Sequence, residues 1–271
     1  MLLPFQLHSL LRESIKQTTF FLRGLRLAYL HSSLTRKPPG SLVRLKGYRF
    51  HITDGGSFYC QYKNIFLHRI YHFTTRQPTP FIIDGGSSMG VSVCYFKHVY
   101  PRARILAFEP DPAIYQILQK NISSNRLRGI DPINAGLGPK PAVLPFDRNG
   151  GDGGRFKNVP GALPVRSLCL SNFLNKKIDF LKLNIEGMEL PVLQEAADSG
   201  KLKNVREIVI EYHGWSREEQ NLAAILQLLN TNGFRYMIHD FDAETSSESK
   251  PPFFWTADTS WFCLIYAKNP C

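Results

Sequence analysis

FIIDGGSSMG (81–90) runs three apolar residues into an aspartate and then into a turn bracketed by glycines. FIID (81–84) has the apolar, β-branched character of a buried strand, and Ser87 to Val99, ahead of Pro101, reads as a helix. A strand turning tightly into a helix is the opening unit of an α/β sheet, and the chain beyond repeats the alternation. RILAFE (104–109) reads as a second strand, and Asp111 to Ser124 as a helix with Asp111 as N-cap and Pro112 at its first position. A third strand falls within Ile130 to Ala135, before NGGDGG (149–154), which has loop composition. IDFLKLNI (178–185) is apolar on both sides of Lys182, as a central parallel strand with two covered faces should be. EGMELPVLQEAADSG (186–200) supplies a helix stopped at Gly200, and VREIVIEYH (205–213) another central strand. Ser216 to Asn232 reads as a helix capped by Ser216, and FRYMIHD (234–240) as a strand. SWFCLIYAK (260–268) follows a polar stretch with no intervening helix, which places it as an antiparallel partner rather than a right-handed parallel crossover. The expected fold class is α/β, a doubly wound sheet with an antiparallel last strand and its ligand over the carboxyl ends of the strands.

At 271 residues and 43% hydrophobic content, the chain can bury one large α/β domain, expected over 76–271, and carry an N-terminal helical and β extension, expected over 1–75. Residues 1–80 contain 12 Lys or Arg against Glu13 and Asp54, so nearly all of the formal charge of +11 belongs to that extension. Leu7, Leu10, Leu11, Ile15, Phe20 and Phe21, with Arg12, Lys16, Arg23 and Arg26 between them, fit a basic amphipathic helix or helix pair. The pattern suits first a helix packed on the main domain with a solvated basic face, with peripheral contact with an anionic membrane through residues 1–35 as the alternative. Charges interrupt the apolar residues too often for a membrane span, and the order of a signal peptide is missing. No nucleic-acid motif accompanies the charge, so nucleic acid is not an expected partner. Five widely spaced cysteines without zinc spacing read as reduced thiols of a cytoplasmic protein.

The glycine turn invites a test for a dinucleotide. That fingerprint requires glycines at i, i+2 and i+5, and starting from Gly85 it meets Ser87 in place of the second. What remains is Asp84, Gly85, Gly86, Ser87 and then Gly90 at the helix entrance, a bare backbone that can approach a ligand closely. Nineteen residues after Gly90 comes Glu109, followed by Pro110, where a carboxylate can accept the hydroxyls of an adenosine ribose.

FIIDGGSSMG, FEPDPAIYQILQKN (108–121), IDFLKLNIEGMELPVL (178–193) and IVIEYHG (208–214) together resemble the FkbM family of S-adenosylmethionine-dependent methyltransferases, over about residues 80 to 240. The resemblance implies a class I methyltransferase fold, Rossmann-like, with a seven-stranded sheet whose last strand is antiparallel. It also implies O-methylation of a hydroxyl in a sugar, glycan, glycolipid or natural product, with S-adenosylmethionine as cofactor. On it, Asp84 would draw the ammonium group, directly or through water, and Glu109 would hold the ribose hydroxyls. Gly85, Gly86, Ser87 and Gly90 would cradle the ligand, Pro110 and Asp111 would set the next helix, and Asn134 and Ala135 would stand near the adenine.

Methyl transfer to oxygen needs the acceptor aligned behind the reacting bond and a base for its proton. Lys182, Asn184 and Glu186 share one side of their strand if it persists, and Glu211 and His213 end the next. Imidazole titrates near neutrality, so His213 is the expected base, with Glu186 and Asn184 as its catalytic neighbours. A carboxylate pair with one histidine is weak evidence for a metal, and none is expected. Two departures from the family pattern stand out. Asn184 occupies a position that is usually aspartate, which raises the alternative of a protein that binds cofactor without catalysis. Ser88 replaces a glycine, which is tolerable if its backbone torsions are ordinary. A nicotinamide-dependent oxidoreductase is a further alternative, disfavoured by the failed glycine spacing. The acceptor pocket is expected from residues 40–75, NGGDGGRFKN (149–158) and 240–258, with Tyr48, Phe58, Tyr59, Tyr62 and Tyr71 as stacking candidates or core.

Overall fold

The computed structural model describes residues 24–25, 27–148, 153–239, 255–257 and 259–270. A helix over 27–35 (α1) precedes the hairpin of β1 (Leu42–Leu45) and β2 (Tyr48–His51), and then α2 (Gly55–Tyr62). The opening strand, β3 (Phe81–Gly85), leads into α3 (Val91–Val99), β4 (Arg104–Phe108), α4 (Pro112–Ser124) and β5 (Ile130–Ile133). Four short strands follow: β6 (Gly136–Leu137), β7 (Ala142–Asp147), β8 (Arg155–Phe156) and β9 (Leu163–Leu168). The chain then forms β10 (Phe180–Leu183), α5 (Glu189–Asp198), β11 (Glu207–Trp215), α6 (Leu222–Thr231), β12 (Arg235–His239) and β13 (Ser260–Lys268).

Seven strands make the central sheet in the order β12, β13, β11, β10, β3, β4, β5. Only β13 runs antiparallel to its neighbours, as its helix-free connection predicts. Strand order reverses between β3 and β10, which opens a crevice at their carboxyl ends. The core follows from the two-residue alternation of side chains along each strand. Ile82, Ile105, Phe180, Val209 and Leu264 face one side, where they pack with Phe50, Phe58, Tyr62 and Phe96. Ile83, Leu181, Ile208, Ile210 and Ile265 face the other, against Val192 and Leu193 of α5 and Ile225 and Leu229 of α6. Residues before β3 thus share a hydrophobic cluster with the sheet. Two asparagines, one in α4 and one capping its end, tie the hairpin to it: Asn121 accepts from the His51 N–H at 2.6 Å and donates to the His51 and Met89 carbonyls, and Asn125 bonds both backbone groups of Arg49.

The structure departs from the sequence reading in several places. Helix α3 starts at Val91 rather than Ser87, because residues 87–90 form the turn itself and Gly90 takes the N-cap position at φ +90°. Helix α6 starts at Leu222, not after a Ser216 cap. Ser216 instead extends the strand pairing, with its N–H donating to the Thr259 carbonyl at 2.9 Å and its hydroxyl to Ala257 at 2.6 Å. Strand β10 ends at Leu183, so alternation does not carry on to Glu186. The sequence reading also missed a second sheet, ordered β6, β9, β7, β8, between β5 and β10. The N-terminal amphipathic pattern over 7–23 lies outside the described residues, as do residues 149–152 and 240–254 of the expected acceptor loops.

Candidate active site

At the carboxyl ends of β3, β4, β10 and β11 lies a cavity of about 390 Å³. Its floor is the glycine turn. A Cβ on Gly86 (φ +83°) would lie 1.9 Å from the Asn184 carbonyl oxygen, so only glycine lets the turn pass this close to β10. The turn is pinned from the next strand, where the Phe108 carbonyl accepts from the Gly86 and Ser87 N–H groups at 3.1 and 2.8 Å. Ser88 has φ +48°, so its torsions are left-handed rather than ordinary, and the serine carries strain that the expected glycine would not. Its hydroxyl accepts from the Gln61 amide of α2 at 3.1 Å.

Glu109, directly after β4, is buried, and both carboxylate oxygens accept backbone N–H groups: Ser88 at 2.8 Å and Asp111 at 2.9 Å. Burial pushes its pKa up to about 8, against the downward pull of those two donors. Asp111 caps α4 through the Ala113 N–H at 2.7 Å and holds Arg148 at 2.6 Å. Asn134 donates to the Glu109 and Pro110 carbonyls at 2.9 and 3.1 Å, which fixes this loop from behind, and Ala135 is fully buried. Gly136, rather than either of them, reaches the cavity wall, because the Phe156 ring occupies the place its Cβ would take.

Of the expected cofactor residues, Gly86, Ser87, Glu109 and Pro110 line the cavity. Asp84, Gly85 and Gly90 lie behind the wall. The Asp84 carboxylate is fully buried and engaged by Lys182 at 3.0 Å and by the Ser92 hydroxyl at 2.5 Å. Lys182 also donates to the Gly86 carbonyl at 2.6 Å, so this pair braces the turn.

Opposite the turn, Lys182, Asn184, Glu186, Glu211 and His213 line the same cavity although the strand alternation ends early. Glu186 takes φ +53° and Gly187 φ +100°, a sharp turn held by Glu189, whose carboxylate accepts the Ile185 and Gly187 N–H groups at 2.9 and 2.8 Å. Glu189, and not Glu186, therefore serves the start of α5. His213 is stacked between Trp215 and Phe262, with Nε2 3.7 Å from Glu186 Oε1. Its buried Nδ1 has no hydrogen-bond partner among the described residues. Asn184 donates to Glu211 Oε2 at 2.9 Å, and the Tyr71 hydroxyl donates to Glu211 Oε1. Among the aromatic candidates, Phe58 and Tyr62 are core and Tyr71 reaches the cavity.

The sequence reading missed Arg148, Phe146, Phe156, Gln61 and Glu189. The first three sit on or beside the second sheet, whose strands carried no clear pattern. Phe146 and Phe156 meet edge to face at 5.6 Å over the cavity mouth. Arg155 anchors that sheet to the end of β11 and the loop after it, stacked on Trp215 at 4.3 Å and forked to Glu218 at 2.7 and 3.0 Å. No group of three or more His, Cys, Asp or Glu that could hold a metal occurs among the described residues.

A model of the methyltransferase FkbM domain matches residues 84–236. Methyltransferase sdnD of Sordaria araneosa is 29% identical over 212 residues, covering 61% of this chain and 79% of that protein. Methyltransferase 1 of Beauveria bassiana is 27% identical over 201 residues, covering 64% and 79%. Among solved structures, methyltransferase FkbM from Methylobacillus flagellatus aligns with a TM-score of 0.47 at 15% identity, over 89% of this chain and 59% of that one. M. jannaschii TYW2 in complex with AdoMet aligns with a TM-score of 0.46 at 14% identity, over 86% of each chain.

Proposed function

Because this chain belongs to the methyltransferase FkbM family, we propose that it transfers a methyl group from S-adenosylmethionine to a hydroxyl oxygen of a small-molecule, glycan or glycolipid acceptor. The observation that carries this reading is the buried Glu109 lining one cavity with a turn that only glycine at 86 lets pass so close to Asn184. Family membership removes the nicotinamide alternative. The residues present fit the cofactor: Glu109 for the ribose hydroxyls, Gly86 and Ser87 for the amino-acid portion, and Pro110, Ile114, Gly136 and Phe156 for the adenine. Asp84, Gly85 and Gly90 act from behind, shaping the turn rather than touching the ligand. Bound S-adenosylmethionine supplies an electrophilic methyl on a sulfonium, so the protein's tasks are alignment and proton removal. His213, Glu186 and Asn184 form the acceptor side.

Domain boundaries follow the same reading, with an extension over 1–75 and the methyltransferase domain over 76–271. No helix of the described residues is long and apolar enough to cross a membrane. We place the protein in the cytoplasm, with its basic residues 1–35 in peripheral contact with an anionic membrane.

Calorimetry of the purified chain with S-adenosylmethionine and S-adenosylhomocysteine tests the cofactor assignment. Binding in the micromolar range, weakened roughly a hundredfold by Glu109→Ala, is expected, the scale of losing two buried hydrogen bonds. Failure of the native chain to bind either compound would sink the reading. Transfer of a labelled methyl group across a panel of hydroxyl compounds then identifies the acceptor.

A further inference from the structure

We propose that Glu211 takes the acceptor's proton through the hydroxyl of Tyr71, and that Asn184 keeps Glu211 in the carboxylate form this requires. The proposal rests on the methyl-transfer reading above and deepens it.

Glu211 is buried midway along β11, one residue past the end of its pairing with β10. Its two oxygens have separate donors, Tyr71 on Oε1 and Asn184 on Oε2 at 2.9 Å. A carboxylate only accepts hydrogen bonds, so the Asn184 amide must turn its NH2 to Glu211. Lys182 does not neutralise this carboxylate. Its ammonium is held by Asp84 at 3.0 Å and by the Gly86 carbonyl at 2.6 Å, and lies 5.3 Å from the centre of the Tyr71 ring. Among these groups Asp84 and Lys182 cancel, leaving the single negative charge of Glu211 at a wall of the cavity that receives a sulfonium.

The residue at 184 decides whether that charge survives. An aspartate there would set a second carboxylate within hydrogen-bonding distance of Glu211, and two such groups share a proton rather than both ionise. The amide donates instead, which favours the ionised form. Tyr71 completes the path. Burial, and then the charge of Glu211, raise its pKa well above the ordinary phenol value, so it stays a neutral donor to Glu211 whose oxygen can accept. The acceptor's proton passes to the Tyr71 oxygen while the Tyr71 proton passes to Glu211. The acceptor oxygen gains the methyl carbon as the sulfur–carbon bond breaks and its electron pair stays on sulfur. One positive and one negative charge disappear together, and Glu211 later returns its proton to water.

The charged and titratable groups facing this pair are Lys182 and Asp84 from β10 and β3, Tyr266 from β13, and His213 with its partner Glu186. The experiment compares the affinity of the full chain for S-adenosylmethionine, a sulfonium, with that for S-adenosylhomocysteine, a neutral thioether, by calorimetry at neutral pH. The native chain should favour the sulfonium at neutral pH. Glu211→Gln should reduce the preference by roughly tenfold at neutral pH while both compounds still bind, the effect of removing one charge partner. A preference untouched by Glu211→Gln, or one that follows His213→Gln instead, overturns the proposal. Binding of neither compound by the native chain overturns the methyltransferase reading, and the proposal with it.

Discussion

Glu109, just past the end of β4, stands in a conflict between burial and hydrogen bonding. Its ordinary value is 4.5 and its folded value about 8, so the folded chain holds this proton over an interval in which the unfolded chain has released it. The resulting stabilisation is complete below the unfolded value and is lost as pH rises through the folded one. Glu109→Gln has no proton to lose. The melting temperature of the native chain should therefore decline relative to that of the variant between about pH 5 and about pH 9, as read by scanning calorimetry. A gap independent of pH would show that the carboxylate is already ionised in the folded chain and that the two N–H donors outweigh burial. At this scale the sequence was informative where chemistry is local. Gly86, Glu109 and Asp111 could be picked out from the strand-to-helix turns, because turn geometry and capping act over a few residues. Tyr71 could not be singled out from the other aromatics, since what distinguishes it is a contact with Glu211, 140 positions away.

Among the elements, α4 does more than cover the sheet. Asn121 is buried and satisfies three backbone groups, two of them on the last residue of β2. Asn121→Ala would leave one buried and two half-buried groups without that partner, at a cost of about 2–4 kcal/mol. We expect the melting temperature to fall by roughly 4–16 °C, with limited proteolysis cutting first before β3. A fall of only a degree or two would mean that water replaces the amide. The same helix shows which elements can be read from sequence. Asp111 and Pro112 mark its start by local rules, whereas Asn121 looks like any polar helix residue until the hairpin arrives. The second sheet was illegible for a related reason. Its strands are short, two of them only two residues long, and Pro145 pairs with Pro164, so prolines sit where strand signals are sought. Ser216 misled because a good capping residue can instead prolong a strand.

For the molecule as a whole, charge and architecture divide the labour. Residues 81–271 are nearly neutral, with 21 Lys or Arg against 20 acids, and the basic excess lies ahead of them. Co-sedimentation with vesicles containing phosphatidylserine should therefore weaken steeply with salt and after removal of residues 1–23, while neutral vesicles bind little. Vesicle binding indifferent to both changes would remove the membrane contact from the account. The strand order has a further consequence, in the time taken to fold. Phe180 of β10 pairs with Ile82 of β3, and the chain from β4 through β9 must lie between them. The middle of the sheet is thus its least local seam, and closing it carries the entropy of a loop of nearly a hundred residues. A chain emerging from its N-terminus holds β3, α3 and β4 together well before β10 exists, so the cofactor cradle can form before the wall that receives the acceptor. Pulsed hydrogen exchange during refolding should find β4 protected ahead of β10, and simultaneous protection would mean that the seam closes in a single step.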